Sequence, residues 1–244
     1  MKTTSFILTY TIVALVVATC GQASAALVTS YTTSIDIPDY NPKNSQGISD
    51  TRFINISGAA TSITGIQVAL NIDGGFNGDY YAYLRHGDTG FAVLLNRPGV
   101  TTGDHDGYGD GGLNVVFADD AINGDIHKYQ SVVKPNFGVA LSGTWQPDGR
   151  RVDPNVAIDA TPPSAYLSSF IGANPNGDWT LFVADNSLGE AGTLKGWGLT
   201  ITTTPKVTAV PEPSTLVALA VATVLFSVKL CADRQSQKSR PVKE

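Results

Sequence analysis

From Ile66 to Ile72 the chain alternates strictly, with Ile66, Val68, Leu70 and Ile72 set against Gln67, Ala69 and Asn71. A period of two buries one face and wets the other, which predicts a strand. Tyr81–Arg85 and Phe91–Leu95 flank His86-Gly87-Asp88-Thr89-Gly90, predicting a hairpin with a five-residue loop. Further strands are predicted over Leu113–Phe117, Trp179–Ala184 and Trp197–Thr203. The segments between Ala26 and Thr204 are short, rich in β-branched and aromatic residues, and separated by Gly, Asn, Asp and Pro clusters. None is strongly helical. That spacing predicts an all-β sandwich or barrel, and about 180 residues suit a single domain with a sizeable core.

The two ends follow other patterns. Lys2, an apolar run from Phe6 to Ala18 and the small residues Ala23-Ser24-Ala25 predict a signal peptide over residues 1–25, with Ala23 and Ala25 at the cleavage site. Lipidation at Cys20 is a weaker alternative, because Thr19 stands where such signals carry Gly, Ala or Ser. At the other end, Val210-Pro211-Glu212-Pro213-Ser214 precedes an apolar run from Thr215 to Val228 and then a basic tail. Extended through Ala232, with Lys229 reaching for the interface, the run is roughly 27 Å long as a helix, against a hydrocarbon core of roughly 30 Å. A single transmembrane helix is expected over residues 215–232, after a linker at 205–214 and before a cytoplasmic tail at 233–244.

Charge supports this orientation. The tail from Lys229 carries five basic and two acidic residues, while the part between it and Lys2 carries ten basic and nineteen acidic. A basic end inside and an acidic body outside fit the positive-inside rule. The acidic body also excludes nucleic acid as a partner, since it repels phosphate.

Together, the Pro-Glu-Pro segment, the short apolar run and the basic residues resemble the PEP-CTERM sorting tail of exported bacterial proteins. That resemblance implies recognition and cleavage near residues 210–214 by a membrane protease-transpeptidase, the exosortase, and delivery to the cell surface or extracellular matrix. The basic residues here are more spread out than the family's usual Arg cluster. Physically, Pro211 and Pro213 remove two backbone donors and hold the segment extended, a form that a protease cleft binds.

Both cysteines lie in the terminal segments, so the body has no disulfide. Of the nineteen acidic residues in the exported part, seventeen are Asp, many of them in Gly- and Asn-rich loops. Short carboxylates on turns supply oxygen ligands of the kind calcium takes. Asp73, Asp79, Asp104, Asp106, Asp110 and Asp185 are the candidate ligands. The stretch from Gly103 to Gly112 opens like an EF-hand loop but departs from it, with Tyr108 at the third ligand position and Val115 in place of the bidentate Glu. Asp and Gly are also simply good turn formers. Tyr80, Tyr81, Tyr83 and Trp145 are candidates for a surface that binds polysaccharide.

Within the body, Asn77-Gly78-Asp79 runs into Tyr80-Tyr81-Ala82-Tyr83-Leu84. Later, Gly177-Asp178-Trp179-Thr180-Leu181-Phe182-Val183-Ala184-Asp185 is followed by Gly192-Thr193-Leu194-Lys195-Gly196-Trp197-Gly198-Leu199. These segments resemble the P/Homo B domain of subtilisin-like proprotein convertases. The resemblance implies a jelly-roll-like antiparallel β-sandwich that accompanies a protease without catalysing. A Ser-His-Asp site needs a base held by a carboxylate against a hydroxyl. No Gly-x-Ser-x-Gly elbow appears, and His86, His105 and His127 are expected to be solvated loop residues. The expected function is a non-catalytic surface or matrix protein with a β-sandwich interaction module. The alternative is an accessory P domain supporting a subtilisin-like protease.

Overall fold

The computed structural model describes residues 25–43, 46–56 and 62–204, together with Lys229. The signal segment apart from Ala25, the sorting motif at Val210–Ser214 and the expected membrane helix apart from Lys229 lie outside the described residues. Among the described residues no helix is long and apolar enough to cross a membrane.

Among the described residues nine strands form two sheets. In chain order they are β1 (Ala25–Ile37), β2 (Ile48–Ile54), β3 (Ser62–Phe76), β4 (Tyr80–His86), β5 (Gly90–Asn96), β6 (Gly111–Phe117), β7 (Leu141–Trp145), β8 (Gly177–Asp185) and β9 (Gly192–Thr204). One sheet has the order β1-β9-β3-β6-β7 and the other β2-β8-β4-β5. The alternation in β3 buries Val68, Leu70 and Ile72, which face Leu199, Trp197 and Leu194 across the β3–β9 ladder. The second sheet contributes Tyr80, Ala82, Leu84, Trp179, Leu181 and Val183 to the same core. Burial of these apolar side chains is the main force holding the two sheets together.

Two expectations about the strands are corrected. The β4–β5 hairpin is tighter than a five-residue loop: His86 pairs with Gly90, so only Gly87, Asp88 and Thr89 turn. Gly87 takes a positive φ of 48°, and the Thr89 amide (3.0 Å) and hydroxyl (2.8 Å) both donate to the His86 carbonyl. The sandwich is also not wholly antiparallel, because β7 runs parallel to β6. A parallel neighbour needs a long crossover, and residues 118–140, with a 3-10 turn at Ile126–Ser131, provide it.

At the open side between β1 and β2, polar side chains close the core. Asp50 accepts the Trp197 indole N–H at 2.8 Å and two bonds from the Arg52 guanidinium, at 2.8 and 3.0 Å. Arg52 in turn lies over the Tyr31 ring, 5.1 Å from its centre. Asp50→Ala removes the acceptor for the buried Trp197 indole and is expected to cost about 1–3 kcal/mol, read from the urea midpoint.

Candidate functional site

One end of the sandwich is built by β3 running into the 3-10 turn Asn77–Asp79 and on into β4. Gly74 and Gly75 carry positive φ values of 75° and 64°, and the ladder to β6 slips between Ile72 and Phe76. Such a bulge bends the strand and re-aims the residues after it. A side chain at Gly75 would collide with the Tyr80 hydroxyl, which donates to the Gly74 carbonyl at 2.9 Å.

The bend sets Asp79 beside the end of β8. The Asp79 carbonyl accepts the Asn186 amide at 2.8 Å, and Tyr80 pairs with Asp185. Asp79 and Asp185 are both buried. Arg97, a non-glycine residue at a φ of 53°, brings its guanidinium to 3.9 Å from Asp79. Its Nε donates to the Gly78 carbonyl at 3.2 Å and its Nη2 to the His105 carbonyl at 2.8 Å. Asp185 accepts the Ser187 amide through Oδ1 at 3.1 Å, whereas its buried Oδ2 has no hydrogen-bond partner. The neighbouring Asn77 likewise leaves its Oδ1 without one.

Burial, and then the charge of Asp185, push the Asp79 carboxyl up to about 6. Burial does the same to Asp185, also to about 6, against the pull of the Ser187 amide. Between pH 4 and 6 the folded chain holds more protons than the unfolded chain, so stability falls as pH rises through that window. The stabilising contribution is fully present below the unfolded value of 3.8 and lost by about pH 6. In the expected outcome, Asp185→Asn flattens this slope and raises stability at pH 7 by roughly 1–2 kcal/mol, since one pKa unit corresponds to about 1.4 kcal/mol. Urea melts at pH 4.5 and pH 7 check it.

The six aspartates singled out from the sequence therefore divide. Asp79 and Asp185 come together, with Asp106 and Asp39 near enough to act on Asp79. Asp104 accepts the amides of Asp106 (3.1 Å) and Gly107 (3.3 Å) and so caps its own turn. Asp110 accepts the Tyr129 hydroxyl at 2.8 Å and the Gln130 amide at 2.5 Å. Asp73 is exposed, 3.9 Å from Lys195. Among the described residues, no three His, Cys, Asp or Glu side chains are grouped so as to hold a metal ion.

Two of the three histidines are not solvated. His86 is buried, stacks on Trp179 at 4.1 Å with an interplanar angle of 6°, and meets the carbonyls of Asp178 (3.0 Å) and Asn174 (2.7 Å). His127 is fully buried, with Nδ1 at 2.8 Å from Asp148 and Nε2 at 3.0 Å from the Val100 carbonyl. His105 is exposed, as expected. Only loop context is legible for these residues in the sequence; the partners that bury them come from distant segments. The candidate aromatic surface splits by strand parity as well. Tyr80 and Trp145 are core residues, while Tyr81 and Tyr83 are half-buried on the outer face with Phe182 and Phe91.

Residues 155–201 match the proprotein convertase P-domain. No curated protein matches the chain by sequence. Among solved structures, the serine protease of Aeromonas sobria is similar at 15% identity, with a TM-score of 0.40, over 74% of this chain and 27% of that one. The same bacterium's serine protease in complex with its chaperone is similar at 14% identity, with a TM-score of 0.38, over 75% of this chain and 27% of that one. The chain thus spans about a quarter of the length of these solved proteins. The segment similar to the P-domain contains β8 and most of β9, with the buried Trp179 and Trp197.

Proposed function

We propose that this chain is a non-catalytic binding module: a P-domain-like β-sandwich, exported, sorted and displayed at the cell surface or in the extracellular matrix. The observation that carries the non-catalytic part is the setting of His127. It is held by Asp148 as a catalytic base is held by its carboxylate, but its second nitrogen, the one that would activate a nucleophile, faces the Val100 carbonyl at 3.0 Å. A fully buried ring bonded on both sides takes no proton from a substrate. Export rests on the signal pattern of residues 1–25. Delivery rests on Val210–Ser214 and the apolar run after it, with exosortase as the processing partner.

The similarity of residues 155–201 to the P-domain favours a second reading, in which the module assists a subtilisin-like protease encoded elsewhere. The test is expression of the full chain, with its own leader, in a host that carries an exosortase. The mature protein is expected to start at Ala26, to end between residues 211 and 214 by mass spectrometry, and to leave casein intact. Casein hydrolysis abolished by a serine-directed inhibitor overturns the non-catalytic reading. The second reading gains if adding the chain restores activity to a subtilisin-like protease stripped of its own P domain.

A further inference from the structure

We propose that the end of the sandwich around Phe76 is a docking groove for a basic, extended peptide segment of a partner protein. Two depressions meet there, sharing Phe76 and Gly109. One, of about 450 Å³, is lined by Asp73, Asp110 and Glu190 with Phe76 and Phe137. The other, of about 330 Å³, is lined by Asp79 and Asp106 with Tyr108 and Leu188. Five carboxylates thus face the groove, and among the described residues its lining contains no Lys or Arg. Among the described residues, Lys195 and Arg97 each stand 3.9 Å from one of these carboxylates and lie outside the lining.

Apolar surface lies between the charges. Phe137 is fully exposed, Leu188 is 69% exposed and Phe76 stands at 36%. Exposed large apolar side chains gathered at one place mark an interaction site, and carboxylates between them select a partner of opposite charge. The lining therefore carries a surplus of negative charge. Lys and Arg side chains supply the complement, with aliphatic stems that cover Phe76 and Leu188 while their heads reach the carboxylates.

An inorganic ion fits less well. Calcium takes six to eight oxygens within roughly 2.6 Å, and no three of the described acidic side chains converge in that way. Charges spread along a groove suit a partner whose charges are also spread out. The net negative charge of the body steers such a segment in from a distance.

The proposal deepens the binding-module reading and rests on it, but the two fail separately. A chain that is exported, trimmed and inert toward casein yet ignores basic peptides defeats this proposal alone. The experiment is fluorescence anisotropy with the full chain in detergent. The probes are a labelled peptide of alternating Leu and Lys and its Leu–Glu counterpart, and calcium chloride alone is titrated by calorimetry. The expected result is binding of the Leu–Lys peptide, weakened roughly tenfold in a Glu190→Gln, Asp73→Asn double variant and severalfold when salt rises from about 0.05 M to about 0.3 M. Both replaced residues are exposed, so the double variant keeps its fold. Phe137→Ser is expected to weaken binding at every salt concentration. Equal binding of the Leu–Glu peptide, no binding, or unchanged affinity in the double variant overturns the proposal. Saturable calcium binding without peptide binding also overturns it and assigns the carboxylates to an inorganic ion.

Discussion

Replacement of Arg150 by Met is expected to lower the stability of the β-sandwich by about 3–5 kcal/mol, the cost of leaving a buried charge without its partner. Arg150 is 1% exposed, and each of its five N–H groups has an acceptor. Nε donates to the Ile158 carbonyl at 3.0 Å. Nη1 serves the Asp148 carbonyl and Oδ1, both at 3.2 Å. Nη2 serves Asp125 at 2.8 Å and the Asp159 carbonyl at 3.1 Å. Asp148, itself fully buried, also accepts the Asn96 amide at 3.2 Å and faces His127 at 2.8 Å.

One guanidinium therefore joins the crossover that precedes β7 and the long loop before β8, and its partner Asp148 ties both to the end of β5. Without it, the Asp148 carboxylate keeps only part of its compensation in a place that water does not reach. Arg150→Lys is expected to recover only a fraction, because an ammonium has three donors and lacks the planar fork. Asp125 is partly solvated, so Asp125→Asn is expected to cost on the order of 1 kcal/mol. Urea denaturation of the three variants ranks them, and a shift of midpoint with unchanged slope identifies the loss as one of stability. A total stability of roughly 5–15 kcal/mol is usual for a domain, so Arg150→Met removes a large share of it. A loss below that of Asp125→Asn would show that the network does not hold these loops.

The parts legible in the sequence are those whose cause is local. The β3 alternation, the strands around Leu113, Trp179 and Trp197, and the hairpin at His86 all read from period and turn residues within a few positions. β1 and β2 were not legible, because Thr, Ser and Asp occupy many of their positions and each strand draws its pairing from β9 or β8, far along the chain. β7 was missed for a different reason: Leu141 and Trp145 are its only buried residues, with Ser, Gly and Thr between them. The candidate site was half legible. Asp-rich turns mark one end of the sandwich, but only the fold shows that Asp104 caps its own turn, that Asp110 is held by Tyr129 and Gln130 of the crossover, and that Asp79 and Asp185 come together. The Arg150 network gave no signal at all, since its members come from four separated segments.

Trp179→Ala is expected to be the most damaging change in β8, costing about 3–5 kcal/mol for the cavity and about 1 kcal/mol more for the hydrogen bond that its indole makes. The ring is fully buried, packs against Phe170 at 5.1 Å, and donates through Nε1 to the Pro175 carbonyl at 2.9 Å. On its other side lies His86, whose two nitrogens meet Asp178 and Asn174. The indole thus fills the core and fixes the loop that leads into β8. That loop is tied to β3 as well, through Ile63 to Ala173 at 2.9 Å and Gly172 to Ile63 at 2.8 Å. Loss of the ring is therefore expected to speed amide exchange at Gly172 and Ala173 well beyond what the loss of global stability alone produces. Trp179→Phe keeps most of the packing and loses only the N–H bond, with an expected cost of roughly 1–2 kcal/mol. Phe53, on the outer face of β2 and 69% exposed, provides the contrast: Phe53→Ala is expected to stay within about 0.5 kcal/mol of the parent. If Trp179→Ala matched Phe53→Ala, the two sheets would not be packed around Trp179, and the register Trp179↔His86 would have to be abandoned.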